Sequence, residues 1–139
     1  MSGNQTVIAE LLLSKGANVM ARNSGGLTAL HAAAYAGSVP IAKLLLDKGA
    51  VLDDAENKAG VTPLMVAGEG NHLELAEFLV AKGADANHPE IHGYLAITRA
   101  LWKGNQEIVR LYKSHGVACP SAKILGGEEW YQQCNAIGK

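Results

Sequence analysis

The stretch that decides the fold is Gly26-Leu27-Thr28-Ala29-Leu30-His31-Ala32-Ala33-Ala34-Tyr35-Ala36-Gly37, because related stretches recur at a fixed distance. Thr62-Pro63-Leu64-Met65 and Leu95-Ala96-Ile97-Thr98 lie in the same phase as Thr28-Ala29-Leu30-His31. Four glycines, each after an apolar run and a Lys or His, recur at nearly equal intervals; they are Gly16, Gly49, Gly83 and Gly116. The intervals between them are 33, 34 and 33 residues. A near-constant period of this size indicates supersecondary units that stack on one another.

Each unit carries the signals of a helix, a turn and a second helix. Thr28 and Thr62 suit the N-cap of the first helix, and Pro63 suits its first position, where a missing N–H is not needed. The second helix shows apolar residues at helical spacing, for example Ile41, Leu44 and Leu45. The glycine after it suits the left-handed turn that ends a helix, and the preceding Lys or His complements the helix dipole.

The segment 26–37, together with Lys82-Gly83-Ala84-Asp85-Ala86-Asn87, resembles the ankyrin repeat family. The resemblance covers about residues 4 to 118. It implies an all-α, ankyrin-repeat solenoid of stacked helix–turn–helix units with short β-turn fingers. It also implies that His31 hydrogen-bonds to backbone and ties neighbouring units together.

The phase divides the chain into a half repeat at 4–26, repeats at 27–60, 61–93 and 94–118, and a C-terminal helical cap at 119–139. The half repeat lacks a first helix, so we expect an uncovered apolar stripe on its second helix, formed by Val7, Ile8, Leu11 and Leu12. We take the chain to be a fragment of a longer protein. Fraying of this end is one alternative; a homodimer through the same helix, in place of the expected monomer, is another.

Composition excludes several classes of protein. The 12 Lys+Arg nearly balance the 13 Asp+Glu, whereas a nucleic-acid-binding domain usually has a basic excess. No apolar run approaches the roughly 18 residues of a membrane span, so we expect no membrane insertion. No nucleophile-elbow, phosphate-loop or HExxH pattern is present, so we expect neither catalysis nor a cofactor. His88 and His92 have zinc-like spacing, but they fall in a finger without an evident third ligand, and we expect no metal there.

The two cysteines, Cys119 and Cys134, both lie in the cap. A disulfide between them would fasten the last helix to the repeats and would require an oxidising, exported or periplasmic location. Unpaired, they are small packing residues of a cytosolic protein. A soluble, cytoplasmic location is the default expectation, although the confinement of both cysteines to one segment slightly favours a pair. The sequence leaves both alternatives open.

The resemblance implies that the fingers and the exposed side of each first helix form a concave binding face. Carried over by phase, this face comprises Leu27, Tyr35, Val61, Val66, Glu69, Tyr94, Arg99, Trp102 and Lys103, with the finger tips near residues 22–24, 56–58 and 89–91. Tyr35, Tyr94, Arg99 and Trp102 are of the types that dominate binding hot spots. In the alternative interpretation, Trp102 packs against the cap and Tyr35 against a neighbouring finger.

These observations predict a protein–protein interaction module without catalytic activity that binds another protein, with Arg99 and Lys103 facing an acidic stretch of it. Two alternatives remain: a regulatory or inhibitory domain that acts in cis within a larger protein, and a small exported ankyrin protein stabilised by a disulfide.

Overall fold

The computed structural model of this chain describes Gly16 and residues 18–138. The helix predicted around Val7 to Leu12, and with it the proposed homodimer surface, lies outside the described residues. The described part contains eight helices and no strand: α1 Ala29–Ala36, α2 Val39–Asp47, α3 Pro63–Glu69, α4 Leu73–Ala81, α5 Ala96–Trp102, α6 Gln106–Ser114, α7 Ala122–Leu125 and α8 Glu128–Ala136.

The first six helices form three antiparallel pairs that stack side by side. Helices α1, α3 and α5 pack on one another in one layer, and α2, α4 and α6 form the second layer. The core between them is built from aliphatic side chains and many alanines, among them Leu30, Ala34, Leu64, Ala67, Leu75, Leu79, Ile97, Ala100 and Ile108. Small residues let the short first helices approach closely. The stacked helix pairs of the described residues confirm the predicted all-α repeat solenoid.

The first helices begin in three different ways. At α3 the Thr62 hydroxyl accepts the Met65 N–H at 3.3 Å, and Pro63 occupies the first helical position. At α1 the Thr28 hydroxyl contacts the His31 ring at 3.0 Å, and the Thr28 N–H donates to the same ring. At α5 Leu95 brings no polar side chain, and the hydroxyl of buried Thr98 has no hydrogen-bond partner among the described residues. The third repeat therefore starts with the fewest polar contacts.

Glycines in the left-handed conformation follow each of the second helices α2, α4 and α6. Gly49, Gly83 and Gly116 have φ values of 100°, 98° and 88°, and Gly16 has 89°. A side chain disfavours such a φ, which accounts for the regular recurrence of glycine at this phase.

Tyr112, in α6, is fully buried across the stack against α3. Its hydroxyl donates to the Leu64 carbonyl at 3.3 Å, and burial raises the pKa of Tyr112 above its ordinary value. The hydroxyl occupies the space that a side chain at Gly68 would need. Gly68 thus allows two successive repeats to pack closely.

Helices α7 and α8 close the C-terminal end of the stack. Helix α8 packs against α5, and Leu125 of α7 is buried. The Lys113 ammonium donates to the Cys134 carbonyl at 2.8 Å and to the Ile137 carbonyl, so it caps the last helix. The sulfur atoms of Cys119 and Cys134 lie at bonding distance, with Cys134 fully buried.

Reduction of this cysteine pair should destabilise the chain. A covalent link that closes a loop with a sequence separation of 15 stabilises by about 3 kcal/mol in the chain-entropy description. Urea unfolding with and without a thiol reductant measures the difference. The Cys119→Ala/Cys134→Ala variant should unfold identically in both conditions. If the unreduced wild type carries two free thiols and unfolds at the same urea concentration as the reduced protein, the pairing is wrong.

Candidate functional site

The three fingers stack on one another through their backbones. We call residues 20–27 finger 1, residues 53–61 finger 2 and residues 86–94 finger 3. The Lys58 N–H of finger 2 donates to the Gly25 carbonyl of finger 1 at 3.0 Å. The Ile91 N–H of finger 3 donates to the Ala59 carbonyl of finger 2 at 2.9 Å. The fingers therefore form one continuous surface beside the first helices.

One side chain at the same phase closes each finger from within. Asn23 accepts the N–H groups of Gly25 and Leu27, both at 2.9 Å. Asn57 accepts the Val61 N–H at 3.0 Å and donates to its carbonyl at 2.8 Å.

In finger 3 a carboxylate takes this place, since Glu90 accepts the N–H groups of His92 and Tyr94. Glu90 was expected at an exposed fingertip, but it is buried. Glu90 lies one full period after Asn57, and this position was the signal from which its role in closing finger 3 could have been predicted.

His31 ties the first full repeat to finger 2. Its Nε2 lies 2.9 Å from the Val61 carbonyl oxygen, which can only accept, so Nε2 carries the proton. Its Nδ1 accepts from the Thr28 N–H at 3.2 Å. Val61 itself is 7% exposed and part of the core, so its prediction as a partner contact was wrong. Its side chain is covered by the repeats, and its carbonyl is used by His31 and Asn57.

An ion pair also ties finger 1 to finger 2. The Arg22 guanidinium binds both carboxylate oxygens of Asp54, at 2.7 and 2.8 Å, and the Asp54 side chain is 3% exposed. The hydrogen bond from Arg22 lowers the pKa of Asp54 below its ordinary value. The folded state therefore gains stability from this pair above about pH 4, the range of an unperturbed Asp, and loses it as the pH falls through the lowered pKa.

Arg99 is half-buried and is bound by two carboxylates of its own chain. Its guanidinium binds Glu69 at 2.8 Å and Glu90 at 2.9 Å, so it links helix α3, helix α5 and finger 3. The Glu90 carboxylate is 2% exposed and needs a nearby cation. The positive charge of Arg99 is thus balanced within the chain, and Lys103, which is exposed, is the basic residue of the predicted pair that remains for an acidic partner.

Trp102 has two environments. Its Nε1–H donates to the Leu125 carbonyl of α7 at 3.0 Å, and its ring meets Tyr94 edge-on with centroids 4.9 Å apart. The side chain nevertheless remains 36% exposed. Both interpretations of Trp102 therefore describe part of its surroundings, and truncating it would disturb the cap as well as the surface.

Tyr35 is the most exposed of the large apolar residues in the described part, at 80%. It lies at a groove, here called the first-helix groove, that is lined by Tyr35, Val66, Glu69, Gly70, His72 and Lys103. The His72 Nε2–H donates to the Tyr35 carbonyl at 3.0 Å across successive repeats. Leu27 lies near the start of the same layer but is half-buried against the core. The predicted binding residues that line this groove are thus Tyr35, Val66, Glu69 and Lys103.

The family model for ankyrin repeats, in three copies, matches residues 1–55 and 52–121. This chain belongs to the ankyrin repeat family. The resemblance seen in the sequence is thereby confirmed. None of the curated proteins matches the chain.

Ankyrin repeats generally act as protein–protein interaction modules and are typically non-catalytic. Throughout the described part of this ankyrin chain, no three His, Cys, Asp or Glu side chains come together as metal ligands would. None of the helices described is both long enough and apolar enough to cross a membrane.

Replacing Arg99 tests whether it is a structural residue of this ankyrin stack. Arg99→Met leaves the buried Glu90 carboxylate without its cation, and we expect a loss of about 3 kcal/mol in the free energy of unfolding. The matched control is Arg110→Met, which breaks an exposed pair with Glu107 at 3.5 Å and should change stability by less than about 0.5 kcal/mol.

Urea unfolding at neutral pH measures both variants. Adding Glu90→Gln to Arg99→Met should recover part of the loss, because a neutral amide oxygen can still accept the finger N–H groups. Equal stability of the two single variants would show that Arg99 is not required for the stability of the stack.

Proposed function

We propose that this chain recognises another protein through the first-helix groove and the adjacent finger surface, with no catalytic activity of its own. The observation that carries the proposal is the 80% exposed ring of Tyr35 at the rim of that groove. A large aromatic side chain held on a rigid helix is typical of an interface anchor.

The stacked backbone prepares the groove for binding. His72 of one repeat fixes the C-terminal end of α1 through the Tyr35 carbonyl, and Asn105 does the same for α3 through the carbonyls of Gly68 and Glu69, at 2.8 and 3.1 Å. Both walls of the groove are therefore held before a partner arrives. Little conformational entropy is lost on binding to such a surface.

The charges at the groove indicate the character of the partner. Glu69 is paired with Arg99, which it shares with Glu90, whereas Lys103 is exposed and belongs to no ion pair in the described residues. Val66 adds a half-buried apolar floor. A partner that fits this groove carries an apolar side chain for Tyr35 and Val66, and an acidic group for Lys103.

The cysteine pair supports a second candidate, a small exported ankyrin protein with a stabilised cap. The two sulfur atoms lie at bonding distance between the end of the repeats and α8. A disulfide of this kind persists in oxidising compartments. An exported protein of this kind would use the same first-helix groove and finger surface for recognition.

A capture experiment tests the groove. Protein retained from native lysate by the immobilised chain is identified, purified and titrated against three variants. Tyr35→Ala and Lys103→Glu should each weaken binding at least about tenfold, equivalent to about 1.4 kcal/mol. The matched control is Lys43→Glu, the same charge reversal at an exposed residue of α2 outside the groove.

Circular dichroism confirms that each variant is folded. If the purified partner binds both groove variants as tightly as the wild type, the groove assignment is wrong. If Lys43→Glu alone weakens binding, the partner uses the layer of second helices instead.

A further inference from the structure

We infer that the Cys119–Cys134 disulfide is a redox-operated latch on the C-terminal cap. Its reduction by a thiol releases α8 from the last repeat and uncovers the apolar end of the stack, while the repeats themselves remain folded. The latch lies outside the first-helix groove, and the inference does not depend on the function proposed for that groove.

Helix α8 is held to the stack by few buried side chains. Of its nine residues, all of them described, Cys134 alone is buried, whereas the equally long α4 and α6 each bury three residues. Trp130 and Tyr131 of α8 are only half-buried against the core. The Lys113 ammonium adds a polar tie through the carbonyls of Cys134 and Ile137. The position of α8 therefore depends on the disulfide more than on packing.

Docking of α8 and closure of the disulfide support each other. A docked helix keeps the two sulfur atoms together, and a closed disulfide keeps the helix on the stack. By thermodynamic linkage the two effects are equal in free energy. Because α8 is weakly packed, its docking protects the disulfide little, and the pair belongs with the readily reduced disulfides rather than with the resistant structural ones.

One sulfur of the pair can be reached from solvent. Cys119 is half-buried and lines an open cleft of about 550 Å³ between the end of the repeats and α8. Ala118, Asn135 and Gly138 at this cleft are exposed, whereas Cys134 is fully buried. A small thiolate therefore reaches the sulfur of Cys119 first.

The reduction is a thiol–disulfide exchange in two steps. The thiolate of the reductant attacks the Cys119 sulfur and forms a new S–S bond, while the Cys119–Cys134 bond breaks and Cys134 leaves as a thiolate that takes up a proton. A second thiolate of the reductant then attacks the reductant sulfur of this mixed disulfide, and Cys119 leaves in the same way. Two thiols of a glutathione-type or dithiol reductant are thus oxidised to one disulfide, and their two protons end on the two cysteines.

Release of α8 uncovers the end of the repeat stack. Each preceding first helix is covered on this side by the next one, α1 by α3 and α3 by α5, and α8 packs on α5 in the corresponding place. Leu101 of α5 and Val109 of α6 line the groove at α8 together with Ala136 and Ile137, and they are 4% and 0% exposed. The oxidised chain therefore has a closed end, whereas the reduced chain presents apolar side chains there.

Amide hydrogen exchange of the intact chain without denaturant tests the latch. After reduction with excess dithiothreitol, the amides of α8 should exchange at least about tenfold faster than in the oxidised chain, while those of α3 and α4 should change less than about twofold. Cys119→Ala/Cys134→Ala should behave like the reduced wild type with or without the reductant. The matched control, Lys113→Met, removes the other tie and keeps the disulfide, so its α8 should stay protected until the reductant is added.

Reversibility separates a latch from a permanent staple. In excess reduced glutathione the folded chain should gain two free thiols, and excess oxidised glutathione should restore the disulfide and the protection of α8. The inference is overturned if the thiols appear only after urea has unfolded the chain, or if α8 stays protected in the fully reduced chain. It is also overturned if α3 and α4 lose protection together with α8, because reduction would then unfold the chain rather than open the cap.

Discussion

The structure depends on one constraint: a single repeat of this chain cannot bury its own apolar side chains, so each repeat is stable only against its neighbours. Polar contacts that reach from one repeat to the next add to this packing. His31 bonds to the Val61 carbonyl, Arg22 binds Asp54, and Arg99 binds Glu69. Each contact spans roughly one period of sequence. Stacking is thus fixed both in the helical layers and at the fingers, and a regular surface follows from it.

The ends of such a stack decide what remains available for binding. At the C-terminal end, α7 and α8 cover the helices, and the cysteine pair and Lys113 fasten α8 to the last repeat. The same segment leaves finger 3 without a neighbour. A stack closed at its helices leaves the first-helix groove accessible for binding.

The period, the helix starts at Thr62-Pro63 and the glycine turns could be predicted from sequence, because local signals and a repeat of nearly constant length determine them. Phase also placed Tyr35 correctly on the surface. It could not show that Val61 is buried or that Arg99 is neutralised, since these outcomes depend on side chains in the neighbouring repeat. Phase equates His31 with Met65 and Thr98, yet among these His31 alone reaches the next finger. Variation between repeats, rather than the repeat itself, determines the binding surface.

The central claim is that backbone hydrogen bonds join the fingers into one rigid surface. Amide hydrogen exchange of the intact chain tests it most directly at Lys58 and Ile91, the two donors between fingers. The account predicts that both amides exchange at least about a hundredfold more slowly than an unprotected peptide amide. Exchange of both at the unprotected rate would show that the fingers move independently, and would contradict the account.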